Sequence, residues 1–136
     1  MIEHSERSRL KFLGLEYWKQ VESVANGDQE FGLKGRGLKA SFNFKVTNKP
    51  DLWPIYVRFD DGKVADVRIL TAGEATDFTL EGPYETWMKV NKQEVDAANA
   101  IMTRLLNFKG NTSAIIRYGK AFLRLFELMQ KVPVEY

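Results

Sequence analysis

Few side chains in this sequence have the type and spacing that catalysis requires. The chain has one histidine, His4, and no cysteine, so no Ser–His or Cys–His pair can be assembled and thiol chemistry is excluded. A transition-metal site would need carboxylates alone, which suit hard cations better. Asp60 and Asp61 match no calcium-loop spacing, and with Gly62 behind them they are typical of a tight turn. We therefore predict no catalytic residue, no metal site and no cofactor.

Two weaker candidates for chemistry depend on glycines and on isolated acids. Residues 32–37 are rich in glycine and cations, but they lack Walker spacing and no strand-to-helix unit surrounds them. A turn between two strands is the better interpretation. Asp66 and Asp77 remain candidate bases for an enzyme acting on an apolar substrate, because carboxylates can do acid–base work. Asp77 lies opposite Phe78 on a predicted strand, which favours a solvent-exposed, structural role.

A run of positive charge covers residues 31–50, which contain five cations and no acid. One interpretation is a patch for transient contact with an anionic membrane surface, where each cation contributes about 1 kcal/mol. The other is the solvated outer face of a hairpin, on which lysines block edge pairing. The net charge of the whole chain is only +2, so we predict no nucleic-acid partner.

The bulk properties predict one domain over residues 1–136 in a reducing compartment. No apolar signal-peptide run follows the polar first residues, and the apolar stretches are too short to span a bilayer. We therefore expect a cytoplasmic protein. A chain of this length buries enough surface to fold without a disulfide or a metal.

Hydrophobic periodicity predicts a helix followed by strands in the first half of the chain. Apolar residues recur at helical spacing over residues 5–26. Alternating patterns then predict five strands, at residues 31–34, 38–46, 53–59, 64–70 and 76–82. The Asp-Gly step at Asp61 predicts a hairpin between the third and fourth of these strands.

The second half is predicted to be helical. Pro83 suits the first turn of one helix, and a second short helix starts near Gln93. Residues 104–109 form a strand or a connector, and residues 113–130 form a long helix. The main apolar face of this helix comprises Ile115, Ile116, Gly119, Phe122, Leu123, Phe126 and Met129. Strands followed by helices are typical of an α+β domain.

The long helix carries more apolar surface than one buried stripe needs. Tyr118, Leu125 and Leu128 lie beside its main face and leave a narrow polar sector. Extra apolar area can fill a core, form a dimer face or line a ligand site. Periodicity alone leaves these alternatives open.

Three segments, taken in order, resemble the small lipid-binding domains of the sterol carrier protein (type two) family. The first is Trp-Pro-Ile-Tyr-Val-Arg-Phe-Asp-Asp-Gly-Lys-Val at residues 53–64, similar to the family's central strands and their turn. The second is Ala-Thr-Asp-Phe-Thr-Leu-Glu-Gly at residues 75–82, followed by a helix with Trp87. The third is Leu-Asn-Phe-Lys-Gly-Asn at residues 106–111. The resemblance implies a five-stranded, mainly antiparallel sheet covered on one face by helices. An apolar tunnel between sheet and helices would take a lipid or fatty acyl ligand.

The resemblance also implies which side chains hold the ligand. The predicted floor of the tunnel comprises Phe42, Phe44, Val57, Phe59, Ile69, Phe78 and Leu80. The predicted roof comprises Trp87, Met102, Ile115, Phe122 and Phe126. The alternative function is a protein–protein interaction module that packs the apolar last helix on a partner or a second copy. Both a monomer and a homodimer are compatible with the sequence.

Overall fold

The structure, a computed structural model, describes residues 9–136 and contains two sheets and five helices within that range. Its elements are β1 (Leu10–Lys11), α1 (Leu15–Asn26), α2 (Gln29–Lys34), β2 (Lys39–Val46), β3 (Ile55–Asp60), β4 (Lys63–Ile69), β5 (Phe78–Gly82), α3 (Tyr84–Asn91), α4 (Ala97–Met102), β6 (Asn107–Lys109), α5 (Thr112–Lys131) and β7 (Val134–Glu135). The predicted α+β class is confirmed. His4 lies outside the described residues.

The main sheet has five strands in the order β4-β3-β2-β5-β6 and is mixed. Three of its pairs are antiparallel, but β5 runs parallel to β2, with Phe42 opposite Phe78 and Phe44 opposite Leu80. The prediction of a mainly antiparallel sheet therefore needs correction. Because β2, β3 and β4 form a meander, the chain must cross back from the edge at β4 to pair β5 with the free side of β2.

The strand alternation of β2 is confirmed. Phe42 and Phe44 are buried, whereas Lys39 and Lys45 on the opposite face are exposed. The hairpin between β3 and β4 is also confirmed, with positive φ at Asp61 (52°) and Gly62 (85°), as a two-residue hairpin turn requires. A Cβ on Gly62 would lie 2.3 Å from the Gly32 carbonyl oxygen, so only glycine fits where this turn meets α2.

The predicted strand at residues 31–34 is wrong, because this segment forms helix α2. The Asp28 carboxylate accepts a hydrogen bond of 2.8 Å from the Phe31 backbone N–H, and Glu30 lies in the first turn. An acceptor at the N-cap and an acid in the first turn both stabilise a helix start. Phe31 faces the core and is fully buried.

The first predicted helix is shorter than expected. Its described part begins at Leu15, because Leu13 has a φ of 67° and interrupts any helix that would include Leu10. Leu10–Lys11 instead form β1, which pairs in parallel with β7 and places Leu10 opposite Val134. This two-stranded sheet ties residues near the two ends of the described chain together.

The helices of the second half follow the prediction with shifted starts. Helix α3 begins directly after Pro83 as predicted, but α4 begins at Ala97 because Gln93 has a φ of 64° and Asp96 caps the helix. Residues 107–109 form strand β6, which resolves the open choice between strand and connector. Within residues 9–136, no helix is both long and apolar enough to cross a membrane.

The core lies between the inward face of the main sheet and the helices. Trp18 of α1 stacks on Phe44 at 4.6 Å between ring centroids, and Trp87 of α3 lies 6.3 Å from the same ring. Phe122 of α5 contacts Phe42 at 5.2 Å. Three helices thus bury one face of the sheet, and the opposite face carries its charged residues.

Candidate functional site

The candidate site is built around Phe42, at the centre of a cluster of aromatic rings on the inward face of the sheet. The Phe42 ring centroid lies 5.0 Å from that of Phe78, 5.3 Å from Phe44 and 5.4 Å from Phe59. Strand alternation points all four rings to the same side. The sheet therefore presents a continuous aromatic floor to the helices, made of four residues that the sequence analysis places in the site.

Helices α3 and α5 supply the roof. The Phe122 ring is 5.2 Å from Phe42 and 6.5 Å from Phe59, and Trp87 stacks on Phe126 at 6.3 Å. The floor and the roof are thus in contact with each other. The structure brings together most of the predicted site residues: Phe42, Phe44, Val57, Phe59, Phe78, Leu80, Trp87, Phe122 and Phe126.

Three predicted residues lie outside this cluster. Met102 at the end of α4 is 81% exposed, and Ile69 at the end of the edge strand β4 is 41% exposed. Ile115 is half-buried but is not among the residues packed on the core. Apolar side chains are expected to be buried, but Ile69 and Met102 lie at the ends of their elements and Ile115 lies on the weakly packed first half of α5, so each has few neighbours.

Two rings of the cluster were missed by sequence reasoning. Phe108 of β6 stacks on Phe78 at 5.4 Å, and Trp18 of α1 stacks on Phe44 at 4.6 Å. The alternation of Asn107, Phe108 and Lys109 is the signal for the first. No local signal identifies Trp18, because its neighbour Tyr17 is equally apolar and also buried.

Helix α5 has two unlike halves. All of its fully buried residues lie at or after Ala121, and before that point Ile116 is 85% exposed. The helix kinks at Tyr118, whose φ of −112° and ψ of 15° are not helical. Gly119 follows, with open space around it. The N-terminal half of α5 is therefore weakly packed.

The predicted apolar face of α5 is partly wrong. Ile116 and Leu123 belong to the predicted face but are exposed, whereas Leu125 and Leu128 beside it are buried. The reason is that the C-terminal half of α5 packs against several other helices and against the sheet, so it buries a wide arc. The kink at Tyr118 also prevents one straight stripe from running the whole length.

An arginine fixes the C-terminal half of α5. Arg124 donates hydrogen bonds of 2.8 and 3.0 Å to the two carboxylate oxygens of Asp28, the N-cap of α2. The Arg124 hydrogen bond is the main reason that the pKa of Asp28 falls from 3.8 to about 2. Helix α5 is thus attached to α2 behind the kink and has no comparable ion pair ahead of it in the described chain.

Arg124→Gln is expected to remove one source of acid sensitivity. Because the pKa of Asp28 is lowered in the folded state, its ionised form stabilises the fold above about pH 4, and this contribution disappears as the pH falls toward 2. At neutral pH the free energy of unfolding of the variant should be lower by up to about 1 kcal/mol. As the pH falls toward 2, its free energy of unfolding should decrease less steeply than that of the original chain. Urea unfolding at a series of pH values measures both effects.

The matched control for this prediction is Arg117→Gln. Arg117 lies on the exposed half of the same helix, and its guanidinium carbon is 5.8 Å from the centroid of the Tyr118 ring. Its pH profile should follow that of the original chain. Parallel stability losses in all three proteins below pH 4 would assign the acid sensitivity to other carboxylates.

The described interior is lined by apolar side chains. Among the described residues, no charged side chain is buried, and the buried Tyr17 donates its hydroxyl to the Met129 carbonyl at 3.3 Å. Burial raises the pKa of Tyr17 well above its usual value. Asp77 accepts hydrogen bonds from Ser41, and Asp66 accepts one from Arg68, both on the outer side of the sheet. What the interior can do is remove apolar groups from water.

The cation run at residues 31–50 is divided among several places in the structure. Lys34 pairs with Glu30 on α2, Lys39 lies opposite Asp60 in the β2–β3 ladder, and Lys49 sits over the ring of Tyr84 at 5.0 Å. Residues 32–37 form the end of α2 and the turn after it. A run without acids in the sequence therefore gains acidic neighbours in the fold.

A cleft of about 380 Å³ opens between α4 and α5. Its lining comprises Gln93, Val95, Asp96, Ala97, Leu123, Phe126, Glu127 and Gln130. Phe126 connects the cleft to the aromatic cluster, because the same ring stacks on Trp87. The cleft and the aromatic cluster therefore share the Phe126 side chain.

Comparisons with known proteins agree with this geometry. Residues 27–122 match the model of the SCP-2 sterol transfer family. A crystal structure of sterol carrier protein 2 superposes with a TM-score of 0.78 at 19% identity, over 90% of this chain and 99% of the other. A conserved protein of Thermus thermophilus gives 0.77 at 18% identity, over 93% and 92%. Sterol carrier protein domain 2 of Helicoverpa armigera gives 0.57 at 21%, over 85% and 89%. No curated protein sequence matches the chain significantly.

Proposed function

The chain belongs to the SCP-2 sterol transfer family, and from this premise we propose that it binds one lipid or fatty acyl ligand between the main sheet and α5. The observation that carries the proposal is the aromatic cluster around Phe42. It lies beneath α5, whose Phe122 closes over Phe42 and whose N-terminal half, before Tyr118, has no buried residue. A core that stays closed does not need a loosely packed helix above it, whereas a ligand site needs a covering helix that can move.

The ligand enters by displacing part of the roof. Phe122 contacts Phe42 and Phe59 directly, so an acyl chain must separate these rings. The kink at Tyr118 and the open space beside Gly119 lie one turn ahead of Phe122, so the start of the C-terminal half of α5 is the part that shifts to free this ring. Glycine adds backbone freedom in a helix, which lowers the cost of this motion.

Desolvation supplies the binding energy. Each methylene that leaves water contributes about 0.8 kcal/mol, so a ten-carbon chain contributes roughly 8 kcal/mol before ordering costs. The ligand-contacting residues in this proposal are those of the cluster: Phe42, Phe44, Val57, Phe59, Phe78, Leu80, Phe108, Trp87, Phe122 and Phe126. Ile69 and Met102 are left out because their side chains are exposed.

Native mass spectrometry of the freshly purified chain tests the proposal. We expect an adduct of lipid mass that organic solvent releases, and extraction then identifies its chemical class. A chain that carries no adduct and also fails to bind added fatty acids and long-chain alcohols would contradict the proposal. No catalytic step is part of it, since the acids Asp66 and Asp77 lie outside the cluster.

The alternative function is an interaction module. It draws support from Ile116, which is 85% exposed on α5, and from the exposed Met102 on α4. In that case a partner or a second copy would cover the N-terminal half of α5. The same native spectra decide between the two, because a dimer without lipid would favour this alternative and a lipid-bearing monomer would oppose it.

A further inference from the structure

A row of nearly parallel rings runs through the floor of the site. It comprises, in order, Trp18, Phe44, Phe42, Phe78 and Phe108, with 4.6, 5.3, 5.0 and 5.4 Å between neighbouring ring centroids. The angles between neighbouring ring planes are 14°, 13°, 28° and 28°. Because Phe42 packs against one ring on its own strand and another on β5, the sheet fixes its orientation toward the helices.

Phe122 of the roof meets the floor at a steep angle. Its ring plane lies at 66° to that of Phe42 and at 62° to that of Phe59, with centroids 5.2 and 6.5 Å apart. Both pairs are edge-to-face, an arrangement in which the positive edge of one ring lies against the negative face of the other. The contact between roof and floor is therefore electrostatic as well as apolar.

A ligand that separates Phe122 from the floor breaks both edge-to-face pairs. A saturated chain in the vacated space replaces the apolar contact, but it has no ring quadrupole and leaves the electrostatic contact unmade. An aromatic ring in the same space restores both contacts. One such pair contributes, beyond the area that it buries, about two- to tenfold in affinity.

Polar side chains do not provide this discrimination in the described interior. Among residues 9–136 no polar or charged side chain is buried, and the hydroxyl of the buried Tyr17 is used by the Met129 carbonyl. Hydrogen bonds and ion pairs therefore do not distinguish one apolar body from another of the same size. Selection between such ligands depends on the shape and the geometry of the rings.

We propose that the site selects ligands whose apolar body carries an aromatic ring over saturated ligands of the same size. The ligand ring takes the place that Phe122 vacates and lies edge-to-face on Phe42 and Phe59, which are the specificity-determining residues. This inference rests on the proposed function and adds to it a chemical class of ligand.

The first test compares phenylhexanol with cyclohexylhexanol, which share a chain, a hydroxyl and a ring of the same carbon number and differ in aromaticity. Isothermal titration calorimetry gives the dissociation constant of each alcohol for the original chain. The ratio of the two constants is then compared with the ratio of the water–cyclohexane partition coefficients, because partition measures desolvation alone. We expect phenylhexanol to be favoured beyond the partition ratio by about two- to tenfold.

A third alcohol separates the charge distribution of the ring from its flat shape. The pentafluorophenyl analogue of phenylhexanol keeps a planar ring but reverses its quadrupole, so an edge-to-face contact with phenylalanine becomes unfavourable. After the same correction for partition, we expect it to bind more weakly than phenylhexanol. Equal corrected affinities would assign the preference to the thinness of a planar ring and would overturn the inference.

Phe42→Leu and Phe59→Leu each remove one ring from the floor and keep the position apolar. Each should reduce the preference for phenylhexanol by about two- to fivefold, with cyclohexylhexanol still bound. The matched control is Phe12→Leu, which removes a buried ring that pairs with three tyrosine rings at centroid distances of 5.1 to 5.9 Å. Its preference should equal that of the original chain. If neither floor variant folds, the three alcohols in the original chain decide.

The outcomes separate this inference from the function on which it rests. A preference equal to the partition ratio in the original chain, with both alcohols bound, would overturn the selection and leave ligand binding intact. An equal loss of preference in Phe12→Leu and Phe42→Leu would also overturn it, because general loosening of the core would then explain the change. If the original chain binds a fatty acid and none of the three alcohols, this inference alone is wrong, and if it binds neither kind of compound, the proposed function is wrong as well.

Discussion

Phe122→Asp is expected to abolish ligand binding. Phe122 covers the centre of the aromatic floor, with its ring 5.2 Å from that of Phe42. A carboxylate at this position would face an interior without any buried cation among the described residues, so a ligand could enter only by desolvating it. Burial of an unpaired charge costs several kcal/mol, which corresponds to a loss of affinity of about a hundredfold or more. Titration with a fluorescent fatty acid and with a neutral fluorescent lipid measures the loss.

The control for this prediction is Ile116→Asp. It makes an equivalent apolar-to-acid change on the same helix, at a side chain that is 85% exposed. Its affinity should stay close to that of the original chain. Circular dichroism and urea unfolding must show that Phe122→Asp is folded. If Phe122→Asp is unfolded, Phe122→Leu, which keeps an apolar contact, replaces it in the binding measurement. Normal binding by folded Phe122→Asp, or an equal loss in Ile116→Asp, would remove Phe122 from the ligand site.

The floor of the candidate site was predictable from the sequence because a strand has a period of two. In β2 the alternation of Phe42 and Phe44 with Lys39 and Lys45 fixes which side chains face inward. The Asp-Gly turn then fixes the neighbouring hairpin. Pairing of β2 with β5 in parallel was not predictable in this way, since alternation states the face of a strand and says nothing of its direction.

The roof was less predictable because burial on α5 does not follow one stripe. The helix packs on the sheet and on several other helices, so Leu125 and Leu128 are buried together with Phe126. Its N-terminal half has few neighbours, which leaves Ile116 exposed. The kink at Tyr118 separates these two environments. In the sequence, Gly119 is the one residue that indicates where the kink lies.

Two errors near the start of the chain have different physical causes. Residues 31–34 are too few for a period of two to be told from a helical turn, and the deciding signal was the N-cap at Asp28. Leu10 and Leu13 have helical spacing with later apolar residues, but Leu10 pairs with Val134, more than a hundred positions away. Such long-range pairing overrides local periodicity and leaves no trace in a short window.

Charge shows the same dependence on the fold. The acid-free run at residues 31–50 predicts a positive patch only if its neighbours in space are also free of acids. In the structure Lys39 lies opposite Asp60, and Lys34 pairs with Glu30. A charged patch can therefore be predicted only when the pairing of the strands is known, whereas the apolar floor can be predicted from the sequence of each strand alone.

Trp87→Ala is expected to have the largest effect on stability, with a loss of about 3–5 kcal/mol in the free energy of unfolding. The side chain is 1% exposed and lies between the rings of Phe44 and Phe126, each 6.3 Å away. Its indole N–H also donates a hydrogen bond of 3.3 Å to the Lys45 carbonyl, which the substitution would remove. Because domains of this size are stable by about 5–15 kcal/mol, the loss is a large fraction of the total. Urea unfolding followed by circular dichroism measures it.

Trp53→Ala provides the matched comparison, because Trp53 is 65% exposed and its loss should change stability by no more than about 0.5 kcal/mol. Trp87→Phe separates the two contributions of the buried ring, since it keeps stacking on Phe126 and removes only the hydrogen bond, at a cost of about 1 kcal/mol beyond the change in size. Equal effects of Trp87→Ala and Trp53→Ala would contradict the packing described for α3. Phe126 stacks on Trp87 and also lines the α4–α5 cleft. Substitutions of Trp87 should therefore weaken ligand binding even in variants that remain folded. The stability of the roof and the shape of the ligand site thus depend on the same ring.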